Sequence, residues 1–374
     1  MSMIALIKRV VVFTTFIFLS VETVWSQQLL NLTTTPVPFL RITPDARSGG
    51  MGDVGIATRP DAGSAYWNAG KLVFSPDAGS AVISYIPWLK EISNDVYFLS
   101  AAGFAKAGEN QAFGLGVRYF SLGDIQFTTD GHNNLGSSRP REMSLDVTYS
   151  RMLSEKLGLG ISARYIHSAL ASNFSVPGYE YKNAAAFAAD IGLYFDNRVY
   201  GNGFTLGTAL SNLGSKISYI KNATEKDFIP ANWGLGASWN KVWNEVHSFS
   251  IAVDINKLLV PELNGDSPEA IRQYRMKNVA ESWGSSFSSF PGQASMATGI
   301  EYSYLQKFAI RAGYYYESAK RGGRQYLSTG IGVRYNMFGF NFSYLLPSGS
   351  GVNQNPLSNT LRFSLLLHWD NANQ

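Results

Sequence analysis

The 374-residue chain contains no cysteine, which removes disulfide frameworks, thiolate metal sites and cysteine nucleophiles together. Histidine is nearly as scarce. Its four copies, His132, His167, His247 and His368, lie scattered without an i, i+4 pair, and no HExxH string or carboxylate cluster of metal-ligand spacing accompanies them. No metal or other cofactor is expected. Charged residues make up only 16% of the chain and the formal net charge is +4, too slight an excess to point to a nucleic-acid partner. A G-x-S-x-G elbow is missing as well; the nearest string, "PSGSGVNQ", reads as a flexible loop, so no nucleophile with its base is nominated and no enzyme is expected. Beyond the leader, no window reaches the ~18 continuous apolar residues of a membrane helix.

What is present points to strands. The chain holds 36 glycines, 20 tyrosines and 23 phenylalanines. That composition suits an outer-membrane barrel, and equally a soluble all-β protein. Lys8 and Arg9 precede the apolar "VVVFTTFIFLSV", and Val24 and Ser26 are placed for a cut before Gln27, so residues 1–26 read as a secretory signal.

From about residue 78 the apolar residues alternate. In "FGLGVRYF", Leu115, Val117 and Tyr119 share one face, and Gly114, Gly116 and Arg118 the other. "GLGISARYI", "GIGVRY" and "FAIRAGYYY" repeat the design with Arg164, Arg334 and Arg311 on the small-residue face, and "LRFSLLLHW" does so with Arg362. A soluble sandwich turns the apolar face inward, whereas a barrel in lipid turns it outward. Connector length separates the two. Strands are expected at 78–86, 95–106, 112–120, 141–152, 156–168, 183–196, 202–211, 230–240, 247–257, 296–305, 307–317, 326–336, 338–346 and 358–369. The even-numbered connectors among these fourteen are short, such as "MLSEK", "LQK" and "NMF", and every long one falls in the odd-numbered set. Short turns on one side and long loops on the other mark a bacterial outer-membrane barrel. The chain is therefore expected to be an all-β, monomeric, 14-stranded antiparallel transmembrane barrel over residues 78–374, surrounded by outer-membrane lipid, with both termini in the periplasm and the loops outside.

The inward arginines Arg118, Arg164, Arg311 and Arg334 admit two roles. They can line a path for an anionic solute, or pair with inward carboxylates such as Asp146 and Asp254. The long loops concentrate binding surface. Loop 121–140 carries Phe127, His132 and Arg139, loop 169–182 carries Tyr179, and loop 258–295 carries Tyr274, Trp283, Phe287 and Phe290. Aromatics among polar residues suit protein recognition, and suit a lid over the pore equally well.

One motif misleads. "SGGMGDVGIAT" holds Gly50, Gly52 and Gly55 at the G-x-G-x-x-G spacing of dinucleotide sites. That fingerprint works only between a strand and a helix N-terminus. Here "FLRITPDARS" precedes it and "IATRPDAGSAYWNAG" follows, neither of which supplies the required element.

The same stretch resembles something else. "RSGGMGDVGIAT" followed by "DAGSAYWNAGKLVF" is similar to the opening of FadL-like barrels, a superfamily that also has fourteen strands. Within it, "ITPDAR", "YIPWLKEISNDVYFLSAAG" and "RYFSLGDIQFTTDGHN" look like the PorV family of type IX secretion in Bacteroidetes-type bacteria. The resemblance implies that residues 27–77 form a plug or hatch. There Gly49, Gly50, Gly52 and Gly55 pack where Cβ atoms would clash, and Trp67 and Asn68 belong to the same hatch. It further implies a shuttle that docks beside a large translocon barrel, binds the C-terminal β-domain signal of secreted cargo, and passes it to a cell-surface attachment complex. Loops 121–140, 169–182 and 258–295 would carry recognition. The wider superfamily implies an alternative, uptake of hydrophobic small molecules. One departure stands out: the superfamily's Trp-Asn-Pro-Ala box reads Trp67-Asn68-Ala69-Gly70 here, and a more flexible turn into the barrel is expected.

Overall fold

The computed structural model describes residues 35–88, 95–128, 134–170, 175–176, 179–261, 263, 267–289, 294–318, 322–346 and 360–370. The signal segment 1–26 and the first part of the expected plug, 27–34, lie outside them. Fourteen strands close one antiparallel barrel: β1 (Gly79–Pro87), β2 (Val96–Lys106), β3 (Gln111–Leu122), β4 (Arg141–Ser154), β5 (Leu157–Ala169), β6 (Ala184–Asp196), β7 (Gly203–Gly214), β8 (Asn232–Trp243), β9 (His247–Leu258), β10 (Ala294–Tyr304), β11 (Phe308–Glu317), β12 (Gln325–Tyr335), β13 (Phe338–Leu346) and β14 (Leu361–Trp369). Each expected strand is present, with its ends moved by a few residues at most. The ring shuts where β1 meets β14, in register from Gly79↔Trp369 to Tyr85↔Phe363. Closure matters because hydrocarbon offers no hydrogen bond to an unpaired strand edge.

The turns after even-numbered strands are 107–110, 155–156, 197–202, 244–246, 305–307 and 336–337, each shorter than any loop after an odd-numbered strand. Two of them are tight reversals with paired positive φ, at Asn244 and Glu245 and at Leu305 and Gln306, a backbone whose twist matches the flanking strands. In bacterial outer-membrane barrels such short turns face the periplasm and the longer loops face outward.

Burial runs opposite to that of a soluble sandwich. Leu115 is 62% exposed while Arg118 in the same strand is 4% exposed, and Phe187 is 70% exposed while Asp190 is 6% exposed. Aliphatic residues fill the middle of the outer face, as with Ile83, Val147, Ile161 and Ile331. Aromatics stand near both rims: Trp243, Phe308 and Trp369 at the turn end, and Tyr85, Phe187 and Tyr316 at the loop end.

The segment before β1 threads the lumen. A 3-10 turn (Pro38–Arg41) is followed by α1 (Ala46–Gly50), started by Asp45, whose carboxylate accepts from Ser48 N at 2.7 Å. Next come α2 (Ser64–Trp67) and a second 3-10 turn (Ala69–Phe74). Val37, Phe39 and Leu40 pack on Ile86, Phe98, Phe120 and Ile166 at the loop ends of β1, β2, β3 and β5. At the opposite end, Lys106 of β2 donates to the Ser75 carbonyl. The segment thus runs from the loop end to the turn end. Trp369 ends at the turn-end rim and the first described residues lie at the loop end, while the chain's start lies outside the described residues.

Candidate functional site

Glycines on the inner wall seat the plug. A Cβ added at Gly160, Gly299 or Gly313 would come closer than 3.0 Å to the backbone of Ala69 or Met51. Gly330 faces Gly50 directly, its imagined Cβ 3.1 Å from the Gly50 Cα. The small-residue face that alternation assigned to a polar interior is therefore the imprint of a second chain segment. On the plug side, Gly52 has φ +72 and its imagined Cβ lies 2.6 Å from Tyr314 N, so both its conformation and its space exclude a side chain. Gly55 lies under the Trp67 ring, and Gly49 lies against Arg362.

The Ala69-Gly70 departure has a steric reason. Asn68 caps the 3-10 turn by accepting from Gly70 N at 3.0 Å and reaches the Leu193 carbonyl at 2.8 Å. A Cβ at Gly70 would meet the carbonyl oxygens of Gly158 and Gly192 at 2.8 and 2.9 Å. The expected extra flexibility is corrected: this pair is pressed onto β5 and β6.

Charges lock plug to wall. Arg47 is the hub. It donates to both Glu301 oxygens at 3.1 Å, to Asp61 at 2.7 Å and to the Arg59 carbonyl at 3.0 Å. Burial alone would lower the Arg47 pKa, but Glu301 and Asp61 hold it above the ordinary arginine value. Burial likewise opposes ionisation of Asp61, and Arg47 and Lys71 overcome it, keeping that carboxyl below its usual range. Arg362 bonds Asp53 at 2.6 Å, Tyr326 also donates to Asp53, and Arg41 and Arg324 share Glu317. Lys71, pushed down to about 8 by burial, donates to the Gly55 carbonyl at 2.7 Å and to Thr58 Oγ1 at 3.0 Å.

The strand arginines each meet a carboxylate. Arg118 reaches Asp146 at 3.2 Å; Arg164 bonds Asp146 and also Asp190 at 2.6 Å. Arg311 bonds Glu301 at 2.6 Å, and Arg334 bonds Asp77 at 3.1 Å beside His368 at 2.8 Å. Asp254 is a correction. It has no arginine, and its Oδ2 instead accepts from Gly55 N at 2.7 Å and Ile56 N at 2.9 Å, fixing the plug's central loop. Two cavities flank this assembly. One of roughly 100 Å³ on the loop side is lined by polar groups such as Arg41, Asp53 and Arg164 and equally by apolar ones such as Leu40, Ile56 and Trp67; a larger one of roughly 610 Å³ opens at the turn end.

Above the barrel, three loops form one lobe. Loop 170–183 bonds loop 215–231 through Lys182 N to Tyr219 O at 2.8 Å and Lys221 N to Glu180 O at 2.9 Å. Loop 259–293 holds helices α3 (Pro268–Met276) and α4 (Val279–Ser285), capped by Ser267 and Asn278. Arg275 bonds Asp227 at 2.7 Å, Arg272 bonds Glu225 at 2.9 Å, and Tyr274 packs edge-on to Phe228. Lys216 lies 4.1 Å from the centre of the Phe228 ring and donates to the Arg275 carbonyl at 2.7 Å, closing the end of α3. Replacing Lys216 by methionine is expected to free α3: limited proteolysis should cut loop 259–293 several-fold faster while heat-resistant barrel migration on gels is unchanged. Equal cutting of both proteins would show that Lys216 does not hold the lobe.

The candidate recognition residues are dispersed. Phe127 and Tyr179 fall in small ribbons within their loops, Ile125–Thr128 paired with Asn134–Ser138 and Ser175–Val176 paired with Tyr179–Glu180. His132 and Phe290 lie outside the described residues. Trp283 is half-buried. Phe287 packs 5.5 Å from Trp233, which shares the outer face of β8 with Leu235 and Trp239, so this part of the loop bends over the outer rim. Lys257, opposite Trp233 in β9, is only 1% exposed beneath that cover. Among the described residues no group of three or more His, Asp or Glu side chains could hold a metal ion.

A family model described as "Type IX secretion system protein PorV" matches residues 25–264. Comparison with curated proteins gives no match. Among solved structures, the Ralstonia pickettii toluene transporter TbuX is 13% identical, with a TM-score of 0.51 over 88% of this chain and 99% of that one. The P. putida toluene transporter TodX is 12% identical, with a TM-score of 0.52 over 87% of this chain and 98% of that one. At such identities the likeness carries the barrel architecture alone.

Proposed function

Because this chain belongs to the PorV family of type IX secretion system proteins, we propose that it is the system's non-enzymatic cargo carrier, holding the C-terminal β-domain signal of secreted proteins at its loop lobe. The chain is an outer-membrane component of type IX secretion; cargo binding, delivery to a surface attachment complex and docking beside the translocon barrel are the proposed steps. Membership over residues 25–264 carries this reading. The fold supports it in two ways. A lumen filled by a plug with buried ion pairs favours binding over conduction, and three cross-linked loops offer a preorganised outer surface. Phe127, His132, Tyr179, Trp283, Phe287 and Phe290 remain the proposed contacts.

The test replaces residues 267–289 by a short Gly-Ser linker and confirms barrel assembly by heat-modifiable migration. Cargo co-purification should fall at least tenfold, with cargo accumulating unattached. Full capture and display would remove this loop as the cargo site, and normal display after deletion of the whole gene would remove the carrier reading.

A further inference from the structure

Among the described residues, one arginine of the turn-end cavity has no carboxylate within ion-pair distance. Of the plug and wall arginines around it, Arg47, Arg198, Arg311 and Arg334 each bond a carboxylate. Arg59 does not. Its Nε donates to Asn240 Oδ1 at 3.3 Å, and among the described residues neither terminal nitrogen has an acceptor. Arg59 lines the cavity and is partly exposed there. Pro60, Phe74 and Pro76 supply apolar wall beside it. The volume, roughly 610 Å³, takes several residues of extended peptide. Strands surround the space, so a lipid headgroup reaches it less readily than a soluble chain does.

We propose that this periplasmic vestibule is a receptor for an acidic peptide segment, whose carboxylate forms a forked pair with the free edge of Arg59. A planar carboxylate matches two parallel N–H donors. The site is coupled to the plug. The Arg59 carbonyl is one of the acceptors of Arg47, the residue that ties plug to wall, so a ligand that orders Arg59 stabilises the seated plug. This inference is independent of the cargo reading, which concerns the opposite face.

The test uses the full-length protein in lipid nanodiscs. An acetylated, amidated Gly-Phe-Asp-Glu peptide is titrated calorimetrically beside its Gly-Phe-Asn-Gln counterpart and inorganic phosphate. The acidic peptide is expected to bind saturably, to weaken with salt, and to lose about tenfold or more in affinity in Arg59→Gln, with Arg59→Lys intermediate. It should also slow maleimide labelling of a cysteine placed at plug position Ala62, which is 1% exposed in this cysteine-free chain. Equal binding of the two peptides, or unchanged affinity in Arg59→Gln with the barrel intact, would overturn the proposal. So would binding of phosphate alone, which would leave only a small-anion site.

Discussion

Alanine at Gly313 is expected to unseat the plug while the barrel still closes. The added methyl would lie closer than 3.0 Å to Gly52 N and to the Met51 carbonyl carbon. Both are backbone atoms of a segment fixed on either side, by Arg47 bonded to Glu301 before it and by Asp254 at Gly55 and Ile56 after it. No rotamer change relieves such a clash, so the cost falls at the upper end of core overpacking, about 3 kcal/mol or more. The strand itself loses nothing, since alanine suits a β-ladder better than glycine does. The readouts are ion conductance in planar bilayers and maleimide labelling at Ala62→Cys. Both should rise at least tenfold over the parent. Gly116→Ala is the control, because its nearest neighbour beyond the chain is the Asp146 Cβ at 3.5 Å, an ordinary contact. A sealed, slowly labelled Gly313→Ala protein would show that the inner-wall glycines do not define the plug's seat.

The barrel was legible because its rule is local. Which face a residue takes depends on its parity within a strand, and whether a connector is a turn depends on a handful of adjacent residues. The pairing Arg164 with Asp146 was within reach for the same reason: the two are direct cross-strand neighbours, and Arg118 stands diagonally from Asp146. Asp254 was assigned the wrong partner because parity places it inside without saying what faces it. Its cross-strand neighbours are Gly236 and Ala297, neither a cation, so the space it sees belongs to the plug. The plug is expected from the resemblance, but its partners on the wall are not legible in the sequence. Its contacts join residues some two to three hundred positions apart, as with Arg47 and Glu301, and no periodicity signals them. Glycines on the inner face, such as Gly158 and Gly160, are the one trace of it in the sequence. The loop lobe was likewise out of reach, since Tyr274 and Phe287 are indistinguishable in sequence although one packs inward on Phe228 and the other leans over the outer rim.

Loss of the Arg47 charge is expected to weaken the plug by about 3–5 kcal/mol, the usual cost of removing one member of a buried ionic cluster. In Arg47→Met the side-chain volume is nearly kept, so the effect isolates charge from packing. Glu301 would keep Arg311 alone, and Asp61 would keep only neutral donors and the more distant Lys71. Asp45, whose carboxyl burial already pushes up and Asp61 pushes further, would lose a favourable neighbour as well. The pH dependence gives the sign. Asp61 titrates below its usual range in the folded protein, so its contribution is fully present above the ordinary aspartate pKa and is lost as pH falls through the lowered one. The parent plug should therefore stay seated through mildly acid conditions and loosen only at strongly acid pH. In Arg47→Met the Asp61 pKa moves upward, because burial is then opposed mainly by Lys71, and release should begin at a higher pH than in the parent. Maleimide labelling at Ala62→Cys, followed across pH in reconstituted protein, reads both effects. Coincident profiles for parent and variant would show that the seat is held by shape and that Arg47 contributes little.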